Sequence, residues 1–352
     1  MQKFWLFLIT LLLAGSLEAQ DPHFTQFYSA PLTLNPALTG TFDGRYRFSA
    51  IYRDQWRRVL DNPYQTFAGA LDFRFPVEWQ STRSNDAAAV GLLFFTDKVD
   101  VVDFVTTEIA VSGAYHKSLS SQDNSFLTLG VQIGLAQRSV NYENLTFNDQ
   151  FDGTQGYTFG TGETLPANNL AFADYAVGLN YSYSVPRGIA IFVGGSLHHI
   201  FEPQTSFYFD KERDDPTQFG DAQLFRRYSA QLSARLPLGD RLQLLPRAIL
   251  NAQGPHLEIN AGSNLRMQLG EFSPAAVHIG SWVRPVGQES GGFDLDALVL
   301  MTGFELNNVL LGFSYDITLN DLSATRQGQG AFEISIAYLG NYENETILCP
   351  KF

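Results

Sequence analysis

The chain has 352 residues, a formal net charge of −13 and a single cysteine, Cys349. An acidic chain without a basic cluster argues against nucleic acid as a partner. One cysteine forms no internal disulfide, and by itself it builds no metal site.

The first residues carry one cation, Lys3, then the apolar run Phe4 to Ala14, then a polar stretch ending in Leu17-Glu18-Ala19. This is the layout of a secretory signal peptide over residues 1–19, with Ala19 the last residue removed. The apolar run is shorter than the roughly 20 residues of a spanning helix, and no later run approaches roughly 18. The exported chain is therefore expected to be soluble or a β-barrel, and one closed sheet can absorb its whole length.

Residues 20–43 read as a periplasmic N-terminal segment in which Asn35-Pro36 favours a turn. Gly40 and Gly44 let the chain bend into the first strand. From there to the C-terminal region the pattern has period two, with almost no helical periodicity. Tyr46, Phe48, Ala50 and Tyr52 alternate with Arg47, Ser49 and Arg53; Leu127, Leu129, Val131, Ile133 and Leu135 alternate with Thr128, Gly130, Gln132, Gly134 and Ala136. One face suits lipid and the other a polar interior.

Strands are expected near 45–56, 64–75, 87–97, 104–117, 125–139, 173–185, 189–199, 226–236, 242–252, 256–269, 275–284, 293–304, 308–317 and 330–339. The expected fold is all-β: a closed antiparallel transmembrane β-barrel of about fourteen strands over residues 44–340, with a tail at 341–352. The alternating segments are long for a soluble all-β adhesin. The two longest connections, Val140 to Phe172 and Ile200 to Phe225, both follow odd-numbered strands. Val185 to Gly188, Pro237 to Asp240 and Asn307-Asn308 are tight turns after even-numbered ones. Short periplasmic turns and longer outer loops follow from that parity, although Pro76 to Asp86 is long for a periplasmic turn.

The polar faces carry Arg45, Arg47, Asp72, Arg74, Glu108, Arg227, Arg235, Glu258 and Arg266. They either line a pore or form a paired network filling a closed lumen, and buried charges usually need partners. His198 and His199 should point to opposite faces of a strand, sharing no metal and sitting near the membrane rim. Asp210, Glu212, Asp214 and Asp215 read as a solvated outer loop, since their spacing is not that of an EF-hand. Tyr52, Trp56, Tyr64, Tyr115, Tyr183 and Trp282 suit aromatic girdles at the two interfaces. No G-x-S-x-G, H-E-x-x-H or glycine-rich phosphate loop occurs, so no catalytic, cofactor-binding or metal-binding residue is assigned and no cofactor is expected.

Several short stretches carry a resemblance: Gln20-Asp21-Pro22-His23-Phe24-Thr25-Gln26-Phe27-Tyr28, Asn35-Pro36-Ala37-Leu38-Thr39-Gly40, Tyr52-Arg53-Asp54-Gln55-Trp56, Pro63-Tyr64, Gly312-Phe313-Ser314-Tyr315-Asp316, Gly330-Ala331-Phe332-Glu333-Ile334-Ser335 and the terminal Cys349-Pro350-Lys351-Phe352. In that order they resemble the PorP/SprF family, membrane proteins associated with the type IX secretion system of Bacteroidetes. The resemblance implies a non-enzymatic outer-membrane barrel that helps export or anchor one surface protein, a gliding adhesin-like partner with a C-terminal sorting domain. It also implies outer-membrane lipid and other secretion components as partners. The alternative function is a channel for a small or hydrophobic solute. No partner-binding residue is assigned.

Overall fold

In the computed structural model the described residues are 21–340, apart from 43, 58–59, 61–62, 78–84, 100–102, 144, 155, 186–187, 209–221, 271–273, 289–290 and 320–329. The expected signal peptide, the acidic cluster at 210–215, most of the connection after Pro76, and the C-terminal tail with Cys349 lie outside the described residues.

Fourteen strands form one closed barrel: β1 (Tyr46–Gln55), β2 (Tyr64–Val77), β3 (Asp86–Val99), β4 (Phe104–Ser118), β5 (Ser125–Ser139), β6 (Asn169–Ser184), β7 (Ala190–His198), β8 (Arg227–Pro237), β9 (Leu242–Gln253), β10 (His256–Gln268), β11 (Ala275–Gly287), β12 (Phe293–Leu306), β13 (Val309–Thr318) and β14 (Gly330–Gly340). Each strand pairs antiparallel with its chain neighbours, and β1 closes on β14 from Tyr46↔Gly340 to Gln55↔Ala331. Closure leaves no unpaired edge, the condition for crossing lipid with strands. No helix of the described residues is long and apolar enough to cross a membrane.

The period-two pattern determines the two faces. Ile109, Val111, Leu129, Ile133 and Leu135 are exposed on the outer wall, while Ser112, Thr128, Gln132 and Ala136 between them are buried inside. β6 starts at Asn169 and β11 runs on to Gly287, both beyond their expected ends. In β11 the register shifts between Arg284 and Pro285, so a proline without an N–H is accommodated at a bulge. The long connections, 140–168 and 199–226, leave one rim; the turns at Val185 to Ile189, Leu238 to Arg241 and Asn307-Asn308 lie at the other.

A barrel of this strand number encloses more space than its own side chains fill. The N-terminal segment occupies that space. Expected on the periplasmic side, it instead folds within the lumen as a 3-10 turn at Phe27–Ser29, one helical turn at Pro31–Leu34 (α1) and a second 3-10 turn at Pro36–Leu38. Phe24, Phe27, Leu32, Leu34, Leu38 and Phe42 are all buried there, against Ile51, Ala70, Leu93, Ala110 and Ile249 of the wall among others. The physical reason is burial: these apolar side chains, left in water, would each forfeit about 1.5–3 kcal/mol.

The segment runs from rim to rim. Asp21 is tied to His199 and Arg227 at the ends of β7 and β8 that carry the long loops. At the other end Gly40 N–H donates to Asp72 at 2.7 Å, and Arg45 N–H donates to the Gly340 carbonyl at 2.9 Å beside the short-turn rim.

Candidate functional site: the lumenal segment and its cavity

The motif His23-Phe24-Thr25-Gln26 docks onto a buried ion cluster built from β1, β11, β13 and β14. Glu333 accepts the backbone N–H of Thr25 at 2.7 Å and of Gln26 at 2.8 Å. Asp316 accepts the Thr25 hydroxyl at 2.8 Å. Two guanidinium groups complete the set. Arg53 donates to Glu333 at 2.6 Å and to Asp316 at 3.0 Å; Arg284 donates to Asp316 at 2.6 Å and to Asp296 at 3.0 Å. Inside a low-dielectric lumen such charges persist only when paired and hydrogen-bonded, and here they are.

His23 is held neutral. Burial and the nearby Arg284 and Arg53 keep it well below the ordinary imidazole range. Its partners settle the tautomer: Nε2 accepts from Arg284 at 3.1 Å, so Nδ1 carries the proton that it donates to Glu258 at 3.1 Å.

Asn35-Pro36-Ala37 seats the middle of the segment on β5, β6 and β7. Asn35 Oδ1 caps the 3-10 turn by accepting Ala37 N–H at 2.8 Å, and its Nδ2 donates to the carbonyls of Leu179 and Gly195 at 3.2 and 3.1 Å. This close approach requires glycine in the wall. A Cβ at Gly178 would collide with Asn35 Oδ1, and one at Gly130 would collide with the backbone of Pro36 and Ala37. Further along, Tyr28 stacks on Trp282 with ring centroids 6.0 Å apart, and the Arg247 guanidinium lies 4.1 Å from the Tyr28 ring.

Two expectations are corrected here. Trp282 is 2% exposed and faces the lumen, so it is no part of an interfacial girdle. The adjacent histidines do not point to opposite faces at the rim, because His199 has a left-handed backbone (φ 55°) that turns its ring inward beside His198. His198 Nε2 donates to the Leu34 carbonyl at 3.1 Å. His199 donates from Nδ1 to Asp174 at 2.9 Å and from Nε2 to Asp21 at 2.6 Å. Donation from both nitrogens requires the imidazolium. Burial works against that charge, but the carboxylates of Asp21 and Asp174 outweigh it and hold the ring raised to about 9. Asp21, pulled below the usual carboxylate range by His199 and Arg227 against the cost of burial, also accepts from Arg227 at 2.8 Å.

Of the polar-face residues expected to line a pore or pair, Arg47 pairs with Asp72, Glu258 with His23, Arg227 with Asp21 and Arg266 with Glu305. Arg74 reaches the Gly40 carbonyl at 3.4 Å. Arg45 precedes β1 and is exposed. The paired reading of the lumen therefore holds for most of them. Asp316 and Asp21 stand in the sequence only as members of motif stretches, with no role read from them, and Arg284 and Asp174 carry no reading there; the inward-facing charges Arg284 and Asp296 on the adjacent strands β11 and β12 were the signal that could have found Arg284.

Between the upper part of the segment and the wall lies a cavity of about 260 Å³ at the long-loop end, lined by Phe24, Leu93, Phe104, Glu108, Arg138, Asp174 and neighbours. Among the described residues no group of three or more His, Cys, Asp or Glu is arranged to hold a metal ion.

These features define a class: an outer-membrane β-barrel whose lumen is occupied by its own N-terminal segment. The family model described as type IX secretion system membrane protein PorP/SprF matches residues 16–338, and the chain belongs to that family. No curated relative matches. Solved structures similar to it include the CymD monoaromatic hydrocarbon channel (10% identity, 90% of this chain and 94% of that one, TM-score 0.48). A deletion mutant of the TodX monoaromatic hydrocarbon channel gives 10% identity, 89% and 94% coverage and a TM-score of 0.48. A Pseudomonas aeruginosa FadL homologue gives 12% identity, 86% and 92% coverage and a TM-score of 0.45.

Proposed function

We propose that this protein is a non-enzymatic outer-membrane component of type IX secretion that assists export or surface anchoring of one partner protein carrying a C-terminal sorting domain. The observation that carries the reading, alongside family membership, is the segment 21–42 fastened at both ends of the lumen. A barrel filled by its own chain is poorly suited to pass a polypeptide through its interior. Its long-loop rim, which faces outward in barrels of this kind, is then the docking surface. Pull-down of the tagged barrel from native membranes tests this. One dominant exported protein with a C-terminal sorting domain is the expected result, and recovery of the barrel alone overturns it.

The cavity beside Phe104 favours a second reading, an outer-membrane channel for a small or hydrophobic solute. Sustained single-channel current through the wild-type barrel in a planar bilayer would establish it in place of the first.

A further inference from the structure

Around Gly134 the lumen wall carries oxygen acceptors that no group of the described residues satisfies. Gly134 on β5 is the register partner of Asp174 on β6 and of Ala110 on β4. It has no side chain where Glu108, from β4, leans across: a Cβ there would lie 2.6 Å from Glu108 Oε1. Glu108 thus reaches over Gly134 towards the strand that holds Asp174. Asp174 is 7% exposed, and while its Oδ2 accepts from His199, its Oδ1 is buried without a partner. Two residues along β5, Gln132 is 6% exposed and its Oε1 is likewise buried and unpartnered. All three side chains line the same cavity.

The missing partner is a cation with N–H donors. Buried acceptors left unsatisfied cost about 1–3 kcal/mol each, more when charged. The lining carries five acidic side chains (Asp21, Asp97, Glu108, Asp174, Glu258) against three cations (Arg138, Arg227 and the His199 imidazolium), an excess of acidic groups. Arg138 does not cancel it at Glu108, because its guanidinium stands over the rings of Phe104 and Phe172, 6.0 and 5.8 Å from their centroids. The carboxylates are not grouped for a metal ion. An ammonium supplies three donors from one atom and suits an acceptor set of two carboxylates and an amide. The walls next to it are aromatic and aliphatic, and the volume equals that of about eight or nine waters, enough for a short apolar stem.

We propose that this cavity binds a primary ammonium group on a short apolar stem, with Asp174 Oδ1, Glu108 and Gln132 Oε1 as acceptors and the stem against Phe104 and Phe172. The ammonium belongs either to a free small amine or to a lysine side chain presented at the long-loop rim. The site stands independently of the anchoring reading above.

Isothermal titration of the intact detergent-solubilised barrel with hexylamine, hexan-1-ol and hexanoate tests the proposal. Hexylamine is expected to bind at one site at least tenfold tighter than hexanol. Glu108→Gln, and Gly134→Leu, which fills the gap, should each weaken it at least tenfold. Equal binding of amine and alcohol, tighter binding of hexanoate, or undiminished amine binding in a folded Glu108→Gln barrel overturns it. If the variants do not fold, the amine-to-alcohol ratio of the wild-type protein decides alone. Acetyl-Gly-Lys-Gly-amide binding as tightly as hexylamine assigns the lysine source; hexylamine binding without the peptide assigns the free amine.

Discussion

Arg53 and Glu333 stand directly opposite one another in the register of β1 and β14, and the guanidinium donates to the carboxylate at 2.6 Å. The pair thus bridges the seam where the first and last strands close the barrel. The same Glu333 receives the N–H groups of Thr25 and Gln26, so closure and seating of the lumenal segment share one buried cluster.

Breaking that cluster one charge at a time should be costly. Glu333→Gln takes one of the two carboxylate partners from Arg53 and is expected to destabilise the barrel by about 3–5 kcal/mol. The double variant Arg53→Met/Glu333→Leu should lose less than the sum of the single variants. Urea unfolding in lipid, followed by heat-modifiable gel mobility, measures both. A Glu333→Gln barrel as stable as the wild type would show that the cluster contributes nothing to closure.

Gly178→Leu drives a side chain into Asn35 and should unseat the lumenal segment without breaking the strand ladder. The expected result is an electrically silent wild type and a conducting variant in planar bilayers. Trp282, stacked on Tyr28 of that segment, should become accessible to acrylamide in the same variant. Silence of Gly178→Leu together with a protected Trp282 would contradict the account of how the segment is held.

Asn35→Ala removes the cap on Ala37 and both donors to the β6 and β7 carbonyls. A loss of about 1–3 kcal/mol is expected from the polar groups left unmatched. Proteolysis within residues 21–42 should accelerate in this variant, while the strands stay protected; an unchanged cleavage rate would refute it.

The His199 clamp gives a pH dependence of defined sign. The ring is raised to about 9 in the folded protein against an ordinary value of 6.5. Its contribution is therefore complete below about pH 6.5 and lost as pH rises through about 9. The acidic groups that face it are Asp21, Asp174 and Glu108, and Arg227 keeps its own bond to Asp21 at high pH. Loosening of the Asp21 end between about pH 8 and 10 should appear as faster hydrogen exchange there. His199→Gln should abolish the pH dependence; persistence of the same profile would assign it to another group.

The barrel itself was legible in the sequence because its determinant is local. Alternation such as Leu127 to Leu135 against Thr128 to Ala136 needs only neighbouring residues to state which face is which, and the strand number and loop parity follow from counting. The motif stretches were visible too, but their meaning was not: Thr25, Arg53, Asp316 and Glu333 are scattered over some 300 positions and meet only when β1 finds β14. The inward turn of His199 and the burial of Trp282 likewise depend on what stands opposite them.

What the sequence determined alone was the class of structure, since period-two hydrophobicity of this length satisfies its backbone in lipid by closing on itself. What the tertiary structure decided was the fate of the interior. Only in the closed barrel is there a lumen wide enough to bury Phe24 to Phe42, and only there do the wall's glycines and charges acquire the partners that keep it filled.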